Sequence, residues 1–460
     1  MRHLIVSAVF VVGSVAFAFA EDWPQWRGPR GNGVSSETGL PLVWSDEENI
    51  AWKVQLGGVG VSTPIVLGNR IFVTSQVGRG VLRGGNHPTL GGREGIPGER
   101  SLSDVASEEA RDGEAVFLVE AFRRDDGRRL WQHQIPAVSP TGELAPVHRK
   151  VNLANPSPVT DGEHVYAWFG TGQIAALDLD GNVVWEKHLG KEYGAYEIAW
   201  GHASSPTLYD DLLILLCDHD RASYLLALDK RTGEEKWKAD RGKGLHSYST
   251  PTVVPGPEGD ELVVNSSERL EGYDPKTGER LWYFAEPNRF PIPVPSFSEG
   301  IIYTSRGYRS GPYMAIRPGG RGDIAQSEHL VWHVATGAPY VSSIVQYQGV
   351  IYMASDAGVL QAADAKTGER LFQGRTGGVF SAAPVAGDGK VYFLSETGMV
   401  IVLKASRKFE ILAQNQMNAR FLASPVVSNG QLFLRSDDQL ISVGQPSGET
   451  TSDVDRGTRR

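Results

Sequence analysis

Short runs in which apolar and polar residues alternate make up most of the chain, and this period-two pattern is typical of half-buried β-strands. Representative runs are GNRIFVTS, QGVIYMAS and DGKVYFLS, at residues 68–75, 348–355 and 388–395. Gly, Asp and Asn separate the runs, and the chain contains 54 glycines, which suits many tight turns. The pattern predicts an all-β chain whose strands are joined by hairpin turns.

The chain also has a longer repeat. One unit recurs at intervals of roughly 40 to 50 residues, with a single larger gap. Each unit opens with small, proline and β-branched residues, continues through two strands, and ends with a turn and an aromatic-led strand. The eight openings lie at residues 62–66, 155–159, 204–208, 249–253, 293–297, 341–345, 381–385 and 422–426. The aromatic residues of the last strands are Trp131, Trp185, Trp237, Trp282, Trp332 and Phe372. Four short strands in a unit predict the blade of a propeller.

The eighth unit lacks its fourth strand, since it ends at ISVG, residues 441–444, with no aromatic-led strand after it. The missing strand is present at the other end of the chain, in ENIAWKV at residues 48–54, where Trp52 takes the closing position. We therefore predict an eight-bladed β-propeller with four-stranded antiparallel blades over residues 48–444. The N-terminal strand completes its last blade, so no sheet edge at the junction is left unpaired.

The turn before the closing aromatic has a structural explanation, which residues 224–237, YLLALDKRTGEEKW, illustrate. The Asp229 carboxylate can accept hydrogen bonds from backbone N–H groups that follow it, and Gly233 can adopt a positive φ without a steric penalty. The Trp237 ring then has a large apolar surface to bury against the neighbouring blade. The repeated motif is thus predicted to hold the blades together.

The first twenty residues predict a cleavable export signal, because Arg2 precedes an apolar run from Leu4 to Phe19. The small residues Ala18 and Ala20 supply a cleavage site before Glu21. An uncleaved membrane anchor is the alternative. No other stretch has the roughly 20 apolar residues that a bilayer requires. We expect a periplasmic or secreted protein.

Three further segments lie outside the predicted blades. Residues 21–47 form an N-terminal segment, in which Trp23 and Trp26 are predicted to pack the chain across the disc. Residues 76–113 form a glycine-rich insertion of the first blade, which is either a disordered surface loop or a cover over one face. Residues 445–460 are predicted to be a disordered tail.

Charge and cysteine content exclude some functions. The formal net charge is −9, which disfavours nucleic-acid binding because phosphate recognition needs a basic surface. Cys217 is the only cysteine, lies in an apolar run and is predicted to be buried. A single thiol forms no internal disulfide. The predicted cleavage site also has no cysteine that could carry a lipid anchor.

The recurrent motif A-x-D-x-x-T-G-E-x-x-W resembles the repeat of the pyrroloquinoline-quinone-like (PQQ-like) propellers. It occurs as LEGYDPKTGERLW at residues 270–282 and as LQAADAKTGERLF at residues 360–372. The family includes quinoprotein alcohol dehydrogenases and the propeller subunit of the bacterial outer-membrane protein assembly machine. The resemblance covers nearly the whole chain after residue 20. Residues 22–41 are also similar to the leading segment of exported propellers of this group.

The resemblance implies two different kinds of function. The dehydrogenases bind PQQ in the central funnel with a Ca²⁺ ion held by carboxylate and amide oxygens, and an Asp acts as the base. Many also place a vicinal disulfide against the cofactor, which one cysteine cannot form. We align no Glu, Asn and Asp trio onto the calcium and base roles. The assembly subunit is normally anchored by a lipid on a cysteine, which this chain lacks.

A candidate site lies where the segments before the inner strands gather at one mouth of the central channel. The predicted ligand-binding residues there are Arg149, Asn152, Trp200, His202, His246, Tyr248, Arg289, Tyr340 and Arg420. Aromatic rings with cationic and amide groups suit a planar or anionic ligand, such as a quinone carboxylate or an acidic sugar. The alternative is that these side chains pack the mouth and bond loose backbone groups. His202 and His246 have no identified third ligand, so we predict no metal.

These observations favour a non-catalytic binding or scaffold protein that grips protein or glycan on one propeller face, as a monomer. The alternative is a PQQ-dependent dehydrogenase that uses Ca²⁺ and oxidises an alcohol or sugar. A hydrolase or lyase with residues on the insertion is a third hypothesis. The sequence assigns no catalytic residue.

Overall fold

The computed structural model describes residues 21–78, 80–81, 114–308 and 310–445. The predicted export signal, most of the predicted insertion and all but the first residue of the predicted tail lie outside the described residues. Strands dominate the described chain, and its helix α1 (Leu189–Glu192) has four residues. None of the described residues belongs to a helix long and apolar enough to cross a bilayer.

The strands form eight sheets in a ring, which confirms the predicted eight-bladed β-propeller. The chain first forms β1 (Ile50–Gln55), which belongs to the last blade. Blade 1 contains β2 (Ile65–Leu67), β3 (Arg70–Val77), β4 (Val116–Arg123) and β5 (Arg129–Pro136). Blade 2 contains β6 (Val159–Thr160), β7 (His164–Trp168), β8 (Gln173–Asp178) and β9 (Val183–His188). Blade 3 contains β10 (Thr207–Tyr209), β11 (Leu212–Asp218), β12 (Ser223–Asp229) and β13 (Glu235–Gly242).

The next three blades follow the same plan. Blade 4 contains β14 (Thr252–Gly256), β15 (Gly259–Asn265), β16 (Arg269–Tyr273) and β17 (Arg280–Ala285). Blade 5 contains β18 (Ser296–Ser298), β19 (Ile301–Ser305), β20 (Tyr313–Ile316) and β22 (Leu330–Val334), and between the last two a short β21 (Gly322–Asp323) pairs in parallel with β17 of blade 4. Blade 6 contains β23 (Val345–Tyr347), β24 (Val350–Ala354), β25 (Val359–Asp364) and β26 (Arg370–Arg375).

The last two blades close the ring. Blade 7 contains β27 (Val385–Gly387), β28 (Lys390–Leu394), β29 (Met399–Lys404) and β30 (Ile411–Gln416). Blade 8 contains β31 (Val426–Ser428), β32 (Gln431–Arg435), β33 (Gln439–Val443) and, as its outer strand, β1. Trp52 lies opposite Ser442 and Val54 opposite Leu440, so the two ends of the described chain share one sheet, as predicted.

Burial follows the radial order of the strands. The second and third strands of the blades are buried almost throughout, because both of their faces meet neighbouring blades. Outer strands alternate instead, as β13 does, since only one of their faces is covered. The apolar clusters therefore lie between blades. At the junction of blades 1 and 2, the rings of Phe117 and Phe169 stack with centroids 4.2 Å apart.

The repeated motif joins neighbouring blades. The Trp185 indole N–H donates a hydrogen bond of 2.9 Å to the carbonyl oxygen of Lys230 in the turn of blade 3. The same ring covers Gly233, where an added Cβ would lie 2.8 Å from it. Gly233 has a φ of +73°, and Asp229 accepts hydrogen bonds from the backbone N–H groups of Arg231 and Thr232. The tryptophan thus caps its neighbour's turn and stabilises the interface between two blades.

The N-terminal segment crosses the end of the channel. Trp23 is fully buried and pairs with Val66 of blade 1, while Val34 pairs with Ala386 of blade 7. Between them, the Trp26 indole N–H donates to the Ser424 hydroxyl of blade 8 at 3.3 Å. The segment therefore spans several blades, and we call the face that it covers the plug face.

Candidate functional site

The opposite face of the disc carries the segments that lead into the inner strands, and we call it the mouth face. These leading segments meet the turns between the second and third strands. Three ion pairs make the connection, and they join Lys150 to Glu396, His246 to Asp220 and Arg420 to Asp437. The mouth face is therefore built by residues from both kinds of loop.

A cavity of about 210 Å³ opens at the centre of the mouth face. We call it the mouth cavity. Trp200, Tyr248 and Tyr340, three of the predicted site residues, line it together. The other apolar residues of its wall include Val61, Val151, Ile292, Val341 and Leu422. The predicted aromatic lining of the mouth is thus present at three blades.

The aromatic side chains of the mouth brace one another edge to face. The Trp200 and Phe290 ring centroids lie 6.1 Å apart, those of Phe290 and Tyr308 5.2 Å apart, and those of Tyr308 and Tyr340 5.3 Å apart. Such arrangements are favoured by the ring quadrupoles. Burial also raises the pKa of the Tyr340 hydroxyl, so it stays protonated at neutral pH. The wall is consequently a rigid surface that does not carry charge at the tyrosine.

A buried ion pair interrupts the apolar wall, because Lys150 also lines the cavity. The Lys150 ammonium contacts a Glu396 carboxylate oxygen at 2.7 Å, and both side chains are less than a tenth exposed. Ser381 donates a hydrogen bond to the other oxygen of Glu396. Nearby, the Asp356 carboxylate accepts a hydrogen bond from the Val341 backbone. Burial, with the added charge of Glu396, raises the pKa of Asp356 from 3.8 to about 7.

A second cavity of about 520 Å³ adjoins the mouth cavity, and Trp200 belongs to both walls. We call it the side cavity. His246 and Arg289, two further predicted residues, line it. His246 Nε2 lies 2.9 Å from an Asp220 carboxylate oxygen, and the Arg289 guanidinium lies 5.1 Å from the centre of the Phe290 ring. The side cavity is therefore more polar than the mouth cavity.

The remaining four predicted residues line neither cavity. The Asn152 side chain bonds backbone groups, as it donates to the Val59 carbonyl and accepts from the Ala154 N–H. Arg420 pairs with Asp437 at 2.8 Å. Arg149 is half-buried in the same leading segment as Lys150. For Asn152, the structure favours the alternative of packing and backbone bonding, whereas Arg420 is held by the Asp437 carboxylate.

His202 is buried between blades 2 and 3. Its ring lies 4.1 Å from the Trp168 ring and 5.0 Å from the Tyr196 ring, centroid to centroid. Burial lowers the pKa of His202 from 6.5 to about 3, so the imidazole is neutral. His219 lies beside it, with ring centroids 5.8 Å apart. His202 and His246 therefore do not share an environment, although they hold matching positions in adjacent blades.

The unpredicted residues of the mouth face include Lys150, Asp356, Ser381 and Glu396. Lys150 and Ser381 lie inside leading segments but were passed over there. Asp356 and Glu396 lie in turns between second and third strands, outside the leading segments from which the site was predicted. A signal was available, because SDAG and SETG occupy equivalent turns in consecutive repeats and each places a carboxylate there.

The donors at the mouth do not match a calcium site for PQQ. Both carboxylate oxygens of Glu396 are engaged, one by Lys150 and one by Ser381, so a cation at this carboxylate would have to displace Lys150. The mouth cavity is also smaller than the roughly 300 Å³ at which ligand pockets begin. In the part of the chain that the structure describes, no group of three His, Cys, Asp or Glu side chains is arranged to hold a metal ion.

Comparison with known proteins confirms the resemblance to the PQQ-like propellers. The family described as outer membrane protein assembly factor BamB matches residues 115–289. A curated relative, outer membrane protein assembly factor BamB of Moranella endobia (strain PCIT), is 24% identical over 249 residues. That match covers 52% of this chain and 58% of the relative, so the chain spans little more than half of the relative's length.

Two of the solved structures that share the fold illustrate the likeness. BamB from Moraxella catarrhalis has a TM-score of 0.54 and 14% identity, over 85% of this chain and 96% of that one. Quinohemoprotein alcohol dehydrogenase from Comamonas testosteroni has a TM-score of 0.60 and 13% identity, over 92% of this chain and 80% of that one. At these identities both establish the propeller fold alone, and they include both kinds of protein that the repeat implied.

Proposed function

We propose that this chain is an exported, non-catalytic propeller of the bacterial envelope that binds a protein partner through its mouth face. The single observation that carries the proposal is the composition of the mouth cavity. Apolar and aromatic side chains form most of its wall, and Lys150, which also lines it, is paired with Glu396. Such a site offers contact area to a partner rather than a reactive group.

The size of the mouth cavity supports a protein anchor. About 210 Å³ accommodates a side chain of a partner more readily than a tricyclic cofactor, for which pockets begin near 300 Å³. Trp and Tyr in a pocket that excludes water are the residue types that dominate binding energy at protein interfaces. Trp200, Tyr248 and Tyr340 have this setting, and the edge-to-face contacts keep Trp200 and Tyr340 in place before a partner arrives.

The side cavity extends the same surface. An extended peptide that places an apolar side chain in the mouth cavity would pass Trp200 and reach the cationic side chain of Arg289. This arrangement favours a segment in which an aromatic or aliphatic anchor is followed by polar residues, because Glu268 lines the side cavity together with Arg289. The names of the relatives describe an assembly factor of the outer membrane, which supports a partner among outer membrane proteins or the proteins that assemble them.

A peptide array tests the proposal. Tiled peptides from bacterial outer membrane proteins are probed with the purified chain, and the strongest are measured by titration calorimetry. We expect Trp200→Ala and Tyr340→Ala each to weaken binding at least tenfold. Tyr283→Ala, on the outer strand of blade 4, is the matched control and keeps the affinity.

The dehydrogenase alternative has its own experiment. The chain is incubated with PQQ and Ca²⁺, and quinone absorbance is followed through gel filtration and after alcohols or sugars are added. Bound quinone that is reduced by substrate would overturn the proposal. Peptide binding that is unchanged in both mouth variants would also overturn it.

A further inference from the structure

A larger cavity lies on the other side of the disc, between the N-terminal segment and the inner strands of blades 3 to 6. Its volume is about 780 Å³, within the range of pockets that hold small ligands. We call it the plug cavity. Residues Gln25 to Val34 supply one wall, and the inner strands β10, β14, β18 and β23 supply the other. It shares no lining residue with the mouth cavity.

The wall of the plug cavity is preformed. The Thr207 hydroxyl donates to the Pro251 carbonyl at 2.8 Å, and the Thr252 hydroxyl donates to the Pro295 carbonyl at 3.0 Å. These bonds tie blade 3 to blade 4 and blade 4 to blade 5. On the opposite wall, Asn32 donates to the Phe297 carbonyl and holds the N-terminal segment against blade 5. A ligand would therefore meet a rigid site.

The chemistry of the lining is aromatic and neutral. Trp26, Phe297 and Tyr347 present aromatic rings, and Gln25 and Gln346 present carboxamides. Among the described residues that line the cavity, only Arg30 and Glu299 are charged, and both are exposed. Arg30 already donates to the Val34 carbonyl at 2.9 Å and lies 3.8 Å from a Glu21 carboxylate oxygen. Its charge is thus partly neutralised, which argues against an anion as the ligand.

Gln346 provides an independent indication of a polar ligand. Its side chain belongs to the cavity wall and is only 2% exposed. Its Nε2 donates no hydrogen bond to any residue that the structure describes. A buried donor without a partner is costly, and buried polar groups nearly always find one. A ligand in the cavity would satisfy it once the carboxamide turns towards the cavity, because the Nε2 atom is itself buried.

We propose that the plug cavity binds a neutral carbohydrate of about disaccharide size. The apolar C–H face of a pyranose ring packs on aromatic side chains, while its hydroxyls donate to and accept from carboxamides. The plug cavity combines aromatic rings with carboxamides, and its arginine is partly neutralised. The cavity is formed only when the N-terminal segment crosses the channel, so the site belongs to the assembled propeller.

Titration of the whole chain with neutral disaccharides tests this inference. Maltose, cellobiose and N,N′-diacetylchitobiose are compared with digalacturonate, a charged disaccharide, by calorimetry and by tryptophan fluorescence. We expect at least one neutral sugar to bind and digalacturonate to bind at least tenfold more weakly. Longer oligomers of the preferred sugar distinguish a free sugar from a polysaccharide, because only a site that continues into a polymer gains affinity with length.

Variants locate the binding. Gln346→Leu keeps the side-chain volume and removes the carboxamide, and it should weaken sugar binding at least tenfold without lowering the melting temperature. Gln25→Ala, on the opposite wall, should weaken it severalfold. Gln414→Leu, on the outer strand of blade 7, is the matched control and keeps the affinity.

Three outcomes would overturn the inference, and they are absence of binding at millimolar sugar, preference for digalacturonate, and affinity unchanged in both plug-cavity variants. Peptide binding at the mouth face is measured on the same samples. Because Gln346 and the mouth cavity are separate, failure at one site leaves the proposal for the other unaffected.

Discussion

The ammonium group of Lys150 lies 2.7 Å from a carboxylate oxygen of Glu396, although 246 residues separate them along the chain. Lys150 belongs to the leading segment of blade 2 and Glu396 to a turn of blade 7. Blades 8 and 1 lie between blades 7 and 2 on the shorter way round the ring. The contact therefore reaches across the channel mouth and ties blades that make no sheet contact with each other.

Removal of one partner from this pair should be strongly destabilising. Lys150→Met leaves the Glu396 carboxylate buried without its countercharge, and breaking a buried pair in this way costs roughly 3–5 kcal/mol. The free energy of unfolding, measured with urea, is expected to fall by about that amount.

The double variant Lys150→Met with Glu396→Gln distinguishes a charge effect from lost packing. The glutamine is neutral and still accepts the hydrogen bond of Ser381, so most of the lost stability should return. A double variant as unstable as Lys150→Met alone would contradict the charge explanation.

Asp356 should make the folded state less stable as the pH rises. Its folded pKa of about 7 lies above the ordinary value of 3.8, so the folded chain binds the proton more tightly than the unfolded chain. Between pH 3.8 and about 7, this residue lowers the free energy of unfolding by roughly 1.4 kcal/mol per pH unit. Asp356→Asn should abolish that contribution and be more stable than the parent at pH 7.5. Equal stability of the two at pH 7.5 would contradict the assignment.

The architecture was predictable from the sequence because most blades repeat the same turn before their outer strand. The turn contains an aspartate and a glycine at positive φ, and an aromatic residue follows it, as Asp229, Gly233 and Trp237 show. Where this motif occurs, it marks the end of the third strand and the start of the fourth. The missing fourth strand of the last unit then required Trp52 to complete it. Trp282 is an exception to the pattern, because its N–H donates to Glu261 and the short strand β21 covers its blade edge.

The site was less predictable because position in a repeat does not fix side-chain direction. Trp200 and His202 lie two residues apart, yet the first lines the mouth cavity and the second is buried against Trp168. The pairing of Lys150 with Glu396 was also not predictable. The position of a residue in the repeat indicates its contacts with adjacent blades but not its contacts across the channel. The plug cavity could not be predicted, because one of its walls is the N-terminal segment. That segment contains no repeat from which its path could be inferred.

The glycine beneath each tryptophan should tolerate alanine less well than a glycine in open space. Gly233 and Gly349 have φ values of +73° and +75°, but an added Cβ meets the Trp185 ring at 2.8 Å only at residue 233. Gly349→Ala should cost about 1–2 kcal/mol for the left-handed backbone alone. Gly233→Ala should cost clearly more, because the Trp185 ring must also move. Equal losses in chemical denaturation would contradict the proposed role of the motif.

His202 should make the folded state sensitive to acid, with a sign opposite to that of Asp356. Its folded pKa of about 3 lies below the ordinary value of 6.5, so the unfolded chain binds the proton more tightly. The stability that the neutral imidazole contributes is complete above pH 6.5. It is lost at roughly 1.4 kcal/mol per pH unit as the pH falls towards 3.

The variant His202→Phe keeps a ring beside Trp168 and cannot be protonated. It also loses a hydrogen bond with the Ser204 backbone, so the slope of stability against pH is the informative quantity rather than its absolute value. We expect the slope between pH 6.5 and 4 to become less steep by about one proton's contribution. Because Asp356 acts over an overlapping range with the opposite sign, the comparison is best made in an Asp356→Asn background. An unchanged slope for His202→Phe in that background would show that His202 is not held neutral by burial.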